Sequence, residues 1–415
     1  MKWIKPSKIE GKIQAPPSKS MTIRIAAMAS LCRGKTLMIH PSCCDDALAG
    51  FRIAEALGAT LAHDNGSLAI EGGSAARESV LDCGESALCM RMFTPIAALN
   101  DSEMILTGTG SLLKRPMRQM EQPLINLGVQ CIIKDGVPPV RIQGPLKAGE
   151  VKIDGSLSSQ FLTGLLTALP RCQGGSEVIA SNLKSKPYVR MTLGLLERFG
   201  IAVDYSKNLE EFSIPGNQIF RGRSISVEAD WSAAAFLLTA GAIAGKVAVS
   251  NLSFDSDQAD KRIMEALDEA GASTRVSGGT ITAEKSNLKA FRFDATECPD
   301  LFPPLAVLAC FSEGQTEIQG IDRLRHKESD RADALYKELT GIGADMQIDR
   351  NTLKIRGTKM AGGTIDSHGD HRIAMAGAIT GLCSVQGVAV RNWKCVAKSY
   401  PGFFSDLQSI GGRIS

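Results

Sequence analysis

The chain has 415 residues, 44% hydrophobic and 22% charged, which is more than one hydrophobic core usually organises and excludes a disordered or membrane-embedded class. Forty-seven basic residues against 44 acidic ones leave a net charge of +3, so neither nucleic acid nor a membrane surface is an expected partner, and any anion bound should be small and held locally. Eleven cysteines without a C-x-x-C pair read as buried small hydrophobes rather than disulfides or metal ligands.

Taken in chain order, the opening MKWIKPSKIEGKIQAPP has no long apolar run and no small-residue cleavage site, so a cytoplasmic location is expected. A first strand is predicted around Ile9 to Ala15. PPSKSMTIRIAAMA follows, a small polar segment that leads into an Ala-rich helix and carries Lys19, Ser20 and Arg24; AEALGATLA then stops an amphipathic run at Gly58. The pair of signals recurs. DCGESALCMRMF opens the next apolar helix with Arg91 inside it, the loop GTGSLLKRPMRQM carries Arg115, and LINLGVQCII stops at Gly128. DGSLSSQFLTGLL and SKPYVRMTL precede the stop LLERFGIAV at Gly200, and EADWSAAAFLLTAGA precedes ALDEAGASTRV at Gly271. ECPDLFPPLAVLA and RLRHKESDRADALYKEL come before ELTGIGADMQI at Gly343, while SHGDHRIAMAGA and AKSYPGFF come before LQSIGGRIS at Gly411.

Each signal thus occurs six times at a spacing of about 70 residues. A glycine just past a helix suits a left-handed cap, which turns the chain into the following strand. The helices after the polar segments are apolar all round and should be buried. Six such units divide into two groups of three. The expected fold is therefore α/β: two similar domains, residues 18–228 and residues 1–17 with 229–415, joined by two crossings near Pro17 and Val227 that form a hinge, with a cleft between them.

The polar residues at the starts of these buried helices have no packing use there. Ser, Asp and Pro cap helices, which accounts for part of the pattern. Free N–H groups and the helix dipole also make each start an anion site, and here the starts carry Lys19, Arg24, Arg91, Arg115, Lys186, Arg331, Arg372 and Lys398. Any one of these alone reads as a solvated surface charge; their placement on a repeating frame implies a ligand with several negative charges. Lys327, Glu328 and Arg331 lie within one helical turn, and Asp300 sits between prolines, so acid and base groups accompany the cations. By itself KESDR reads first as an ordinary charged helix start with i,i+4 pairing. His368 and His371 are not expected to bind metal, because Arg372 adjoins them and no H-E-x-x-H pattern exists; Asp370 reads as a helix cap. With no P-loop, dinucleotide fingerprint or nucleophile elbow, phosphate must be held by Lys, Arg and backbone, and no metal or cofactor is expected.

The segments PSKSMTIR, KRPM, DGSLSSQFLTGLL, SKPYVRMTL, KESDR, GDHRIAM and AKSYPGFF together resemble the enolpyruvyl transferases, in particular the 3-phosphoshikimate 1-carboxyvinyltransferase family, over essentially the whole chain. The resemblance implies two domains, each of three βαβαββ units in an inside-out α/β barrel, closing over an active site in the interdomain cleft. It implies a reaction in which the enolpyruvyl group of phosphoenolpyruvate passes to the 5-hydroxyl of shikimate 3-phosphate, and a monomer. It further implies that Lys19, Ser20, Arg24, Ser158, Ser159, Gln160, Ser185, Tyr188, Asp300 and Lys327 hold shikimate 3-phosphate. Lys19, Ala87, Arg115, Gln160, Arg331, Arg372 and Lys398 would hold phosphoenolpyruvate, with Asp300, Glu328 and Lys19 catalytic.

One segment departs from the family pattern. Where Asn-Ala-Gly-Thr-Ala-x-Arg is common, the chain has Glu85, Ser86, Ala87, Leu88, Cys89, Met90 and Arg91. Ala87 puts a methyl group where glycine gives room, so the resemblance implies weak inhibition by glyphosate. Arg323 replaces a smaller polar residue. Two alternatives stand beside this reading: the sister UDP-N-acetylglucosamine enolpyruvyl transferase, whose functional loop cysteine is missing from GTGSLLKRPMRQM, and a non-catalytic repeat protein that binds partners on its surface.

Overall fold

The structure, a computed structural model, describes residues 1–73 and 75–415. Among them twelve α-helices run in chain order: α1 Lys19–Ser30, α2 Asp45–Ala56, α3 Ala87–Ala97, α4 Glu121–Asn126, α5 Gln160–Ala168, α6 Lys186–Arg198, α7 Trp231–Ala244, α8 Ile263–Glu269, α9 Phe302–Cys310, α10 Arg331–Gly341, α11 His371–Gly381 and α12 Phe403–Ser409. The odd-numbered helices are the apolar ones. Every residue of α3, α7, α9 and α11 is buried, as an apolar sequence with no polar stripe requires. In α7, Phe236, Leu237 and Leu238 are each 0% exposed, and each contributes roughly 2 kcal/mol by leaving water. The even-numbered helices are amphipathic. In α2, Asp45, Leu48, Arg52 and Glu55 form the exposed stripe while Phe51 and Ile53 face the core.

The glycine stops take the left-handed conformation, with φ from 71° at Gly271 to 108° at Gly343. An L side chain is strained there, so glycine ends each outer helix and a strand begins within a few residues.

Among the described residues six four-stranded sheets complete the fold; each holds one parallel strand pair, five add an antiparallel hairpin, and in the sixth Lys2–Lys5 lies antiparallel between Val388–Arg391 and Arg413–Ile414. Together with the helices they build six βαβαββ repeats, three in each of two compact units: Pro17–Val227, and Met1–Pro16 with Glu228–Ser415. Two strands lie away from the helix that follows them in sequence. Ile9–Gln14, just before α1, pairs in parallel with Gly245–Ser250 of the discontinuous unit. Ser224–Ser226, just before α7, pairs in parallel with Lys35–Ile39 of the continuous unit. Within each unit the apolar helices form the interior, and their polar N-termini open the question of function.

Candidate active site

In the continuous unit, Ser18 caps α1 by accepting from the Met21 amide at 3.3 Å, which places Lys19 at the first helical position. Lys19 Nζ is 2.9 Å from Asp46 Oδ2, and both side chains are largely buried. One turn further, Arg24 Nε donates to Thr192 Oγ1 at 2.9 Å and its NH1 to the Ser20 carbonyl at 2.9 Å. Its guanidinium lies over the Tyr188 ring at 5.8 Å. Burial lowers the Arg24 pKa to about 10 against the opposing effect of Tyr188. Thr192 also shares a 3.1 Å contact with Thr163, so α1, α5 and α6 are tied together at this end by polar side chains.

The start of α5 is linked to α3. Ser158 Oγ accepts from the Gln160 amide at 3.2 Å, Ser159 is buried, and Gln160 Oε1 accepts from Arg91 NH1 at 2.9 Å. Arg91 NH2 donates to the Pro116 carbonyl at 2.9 Å, which pins the peptide next to the buried Arg115. The loop leading to Arg115 is held from its other end: Glu85 Oε2 accepts from the Ser111 amide at 2.8 Å and the Ser111 hydroxyl at 2.9 Å. Gly110 in this loop has φ +55°, and a Cβ there would be strained and would come 2.4 Å from Glu85 Oε2, so any other residue must displace the carboxylate that holds Ser111. Ala87 begins α3 behind the Ser86 cap; it and Leu88 are 3% and 7% exposed. Ser185 takes a left-handed conformation, φ 57°, at the cap of α6, one turn before Tyr188.

The discontinuous unit gathers charges more densely. Asp300, in the turn before α9, accepts from Arg331 NH1 at 2.8 Å and from Arg372 NH2 at 2.9 Å, with Lys327 Nζ at 3.6 Å. Burial would raise its pKa, but Arg372, Lys327 and Arg331 outweigh this and hold the carboxyl well below the usual range. Arg331, fully buried at the start of α10, also bonds Asp370 through Nε at 2.8 Å and NH2 at 3.2 Å, and Glu328 at 2.5 Å. Burial disfavours its charge, yet the three carboxylates raise its pKa. Burial pulls Lys327 down to about 8, with Asp300 opposing. Lys398 Nζ donates to the Gly369 carbonyl at 2.7 Å, which fixes it beside the start of α11.

Asp370 does cap α11, accepting from the Arg372 amide at 2.9 Å, and with the same carboxylate it grips Arg331. The two histidines have separate settings: His368 Nε2 lies 2.8 Å from Glu338, and His371 is buried in the first turn of α11. Arg323 is half-buried, donating to the Thr296 carbonyl at 3.1 Å; burial lowers its pKa, while Glu297 and Asp300 oppose the shift.

The candidate residues therefore fall into two groups. Lys19, Ser20, Arg24, Ala87, Arg115, Ser158, Ser159, Gln160, Ser185 and Tyr188 belong to the continuous unit, at or near the starts of α1, α3, α5 and α6. Asp300, Lys327, Glu328, Arg331, Arg372 and Lys398 belong to the other, where ion pairs join all but Lys398 into one cluster. Sequence patterns missed Asp46 and Thr192. Asp46 is 27 residues from Lys19, and Thr192 is 168 from Arg24, so no local spacing announces either partner.

Comparison with known proteins bears on this arrangement. A family model described as EPSP synthase (3-phosphoshikimate 1-carboxyvinyltransferase) matches residues 4–407. A 3-phosphoshikimate 1-carboxyvinyltransferase of Clostridium perfringens is 36% identical over 99% of this chain and 98% of its own length. One from Aeropyrum pernix is 37% identical over 99% and 96%. Among solved structures, EPSP synthase from Acinetobacter baumannii aligns with TM-score 0.84 and 28% identity over 100% of this chain and 99% of that one. The enolpyruvyl transferase NikO from Streptomyces tendae, at 17% identity and TM-score 0.82 over 100% and 98%, shares the fold. The match of sequence and fold along the whole length, on a frame whose buried helices begin in clustered cations and carboxylates, means that the chain belongs to the EPSP synthase family.

Proposed function

We propose that the chain transfers the enolpyruvyl group of phosphoenolpyruvate to the 5-hydroxyl of shikimate 3-phosphate and releases phosphate, through a tetrahedral intermediate. The observation that carries this reading is the cluster of Asp300, Glu328, Lys327, Arg331 and Arg372, where acid, base and anion-binding groups meet on rigid helix starts. Shikimate 3-phosphate is assigned to Lys19, Ser20, Arg24, Ser158, Ser159, Gln160, Ser185, Tyr188, Asp300 and Lys327. Phosphoenolpyruvate is assigned to Lys19, Ala87, Arg115, Gln160, Arg331, Arg372 and Lys398, since its phosphate and carboxylate both need several donors and guanidinium grips either with two.

The chemistry needs a base for the hydroxyl proton and a group that gives a proton to C3 and later takes it back. Asp300 is the base and Glu328 the C3 group, while Lys19 assists at the bridging oxygen. Without substrate, Asp300 is held ionised by three cations, which makes it a poor proton acceptor. An anion placed on Arg372 and Arg331 shares their field and brings negative charge close, so Asp300 regains affinity for a proton when the substrate arrives. In the first step C2 of phosphoenolpyruvate bonds the 5-oxygen, whose proton goes to Asp300, and C3 gains a proton from Glu328, which takes one up from solvent when the same anion weakens its pairing with Arg331. In the second, C3 returns a proton to Glu328 as the C–O bond to phosphate breaks.

The same reading has the enzyme working in the cytoplasm as a monomer, with no metal or cofactor. Phosphate release by the purified, chelated protein tests it: release from phosphoenolpyruvate that requires shikimate 3-phosphate is expected. Release only with UDP-N-acetylglucosamine would make it the sister activity, and no release with either acceptor would favour a non-catalytic protein.

A further inference from the structure

The discontinuous unit buries another carboxyl that the proposed chemistry leaves unused. Asp260 lies in the short turn Ala259–Arg262 and is 0% exposed. Its Oδ2 makes a short contact with the hydroxyl of Ser232, which sits in the first turn of α7. Its Oδ1 is buried and has no hydrogen-bond partner among the described residues, and the same is true of Nε of Arg372. A carboxylate in this position would hold a buried charge with one neutral donor and one bare oxygen, which is costly. A carboxylic acid, with Ser232 donating to Oδ2 and the acid proton on Oδ1, carries no buried charge and avoids that cost.

The charged and titratable groups that act on Asp260 come from several elements: Asp230 at the cap of α7, Asp300 before α9 and Arg372 in the first turn of α11, with Cys298, which lies against Arg262, in turn affected by Asp260. Burial and then the charge of Asp300 push Asp260 up to about 7, while Arg372 and the Ser232 hydroxyl pull it down. Asp300, faced by three cations, goes the other way. Two interacting carboxyls in unlike surroundings divide the protons unequally.

We propose that Asp260 is a positioning residue for the transfer reaction: it keeps a proton while Asp300 is ionised, and by staying neutral it leaves the field of Arg372 available to the anionic substrate. This rests on the assignment of Arg372 to phosphoenolpyruvate. As pH rises past neutrality Asp260 ionises, a negative charge appears beside Arg372, and phosphoenolpyruvate is held less tightly.

The test is the pH dependence of KM for phosphoenolpyruvate, measured beside kcat, in the native protein and in Asp260→Asn, which keeps the shape and cannot ionise. The native KM should rise about fivefold between about pH 6 and pH 8, an amount suited to one nearby charge. The variant should lack that rise while its kcat keeps the native pH profile; effects of substrate ionisation and of Lys327 are common to both and cancel in the comparison. An equal rise in the variant overturns the proposal. Should Asp260→Asn fail to fold, Ser232→Ala provides a second reading: loss of the hydroxyl that favours the ionised form moves the KM rise to higher pH, and an unmoved profile counts against Asp260. Infrared difference spectra across the same pH change decide the matter even if the protein has no transferase activity. A protonated-carboxyl band lost at the higher pH, and missing from Asp260→Asn, supports the buried acid; absence of the band in the native protein refutes it.

Discussion

The two units repeat one architecture yet treat their cations differently. In the continuous unit, Arg24 and Arg91 are held chiefly by neutral acceptors, Thr192, the Ser20 carbonyl, Gln160 and the Pro116 carbonyl, and Lys19 pairs with a carboxylate. In the discontinuous unit, Arg331, Arg372 and Lys327 face Asp300, and Arg331 adds Glu328 and Asp370. Cations fixed by neutral partners keep their whole field for a ligand, whereas cations among carboxylates divide theirs between a ligand and the protonation of those carboxylates. The first arrangement suits binding and the second suits binding coupled to proton transfer.

The sharpest way to break this contrast is Glu328→Gln. Turnover should fall by about a thousandfold or more with substrate binding largely intact, as expected for loss of a group that moves protons; steady-state kinetics with direct binding of shikimate 3-phosphate would check it, and unchanged turnover would remove Glu328 from the chemistry. On the binding side, Arg24→Met should weaken shikimate 3-phosphate by about 2 kcal/mol, roughly thirtyfold, with a smaller change in kcat. A selective loss of kcat instead would erase the proposed division between the units.

Asp46→Asn tests the ion pair that holds Lys19 in the continuous unit. It releases Lys19, and kcat/KM should fall about tenfold through misplacement of the amine. Gly110→Ala, forced against Glu85, should disorder the approach to Arg115 and raise KM for phosphoenolpyruvate several-fold, with about 1 to 3 kcal/mol lost from stability, seen as a lower melting temperature. The smallest change is Ala87→Gly. Glyphosate should inhibit the native protein weakly and this variant more strongly in a dose-response assay, because removal of one buried methyl enlarges the pocket assigned to phosphoenolpyruvate.

Much of the frame could be read without coordinates. The helix stops at Gly58, Gly128, Gly200, Gly271, Gly343 and Gly411 depend on a local rule, that glycine alone enters the left-handed region cheaply, and all six have positive φ. The apolar helices were equally legible: a segment such as WSAAAFLLTAGAIA has no face to give to water, and all of α7 is buried. The cations and acids of the candidate site stood out for the converse reason, being polar residues at the mouths of helices that otherwise reject them.

What surrounds those residues was not legible. Asp370 could be read as a cap from its place before α11, but its grip on Arg331 spans 39 residues. Asp260 carries no local mark at all, since its setting comes from Ser232, 28 residues away, and from Asp300 and Arg372 on other elements. The sequence by itself determined which segments are helices, where they end and which of them are buried, because those outcomes follow from backbone sterics and hydrophobic pattern within a few residues. The tertiary structure alone decided which carboxylate faces which cation, and so which acids stay ionised, because a charge in the interior responds to every partner within several ångströms, however far apart they lie in the chain.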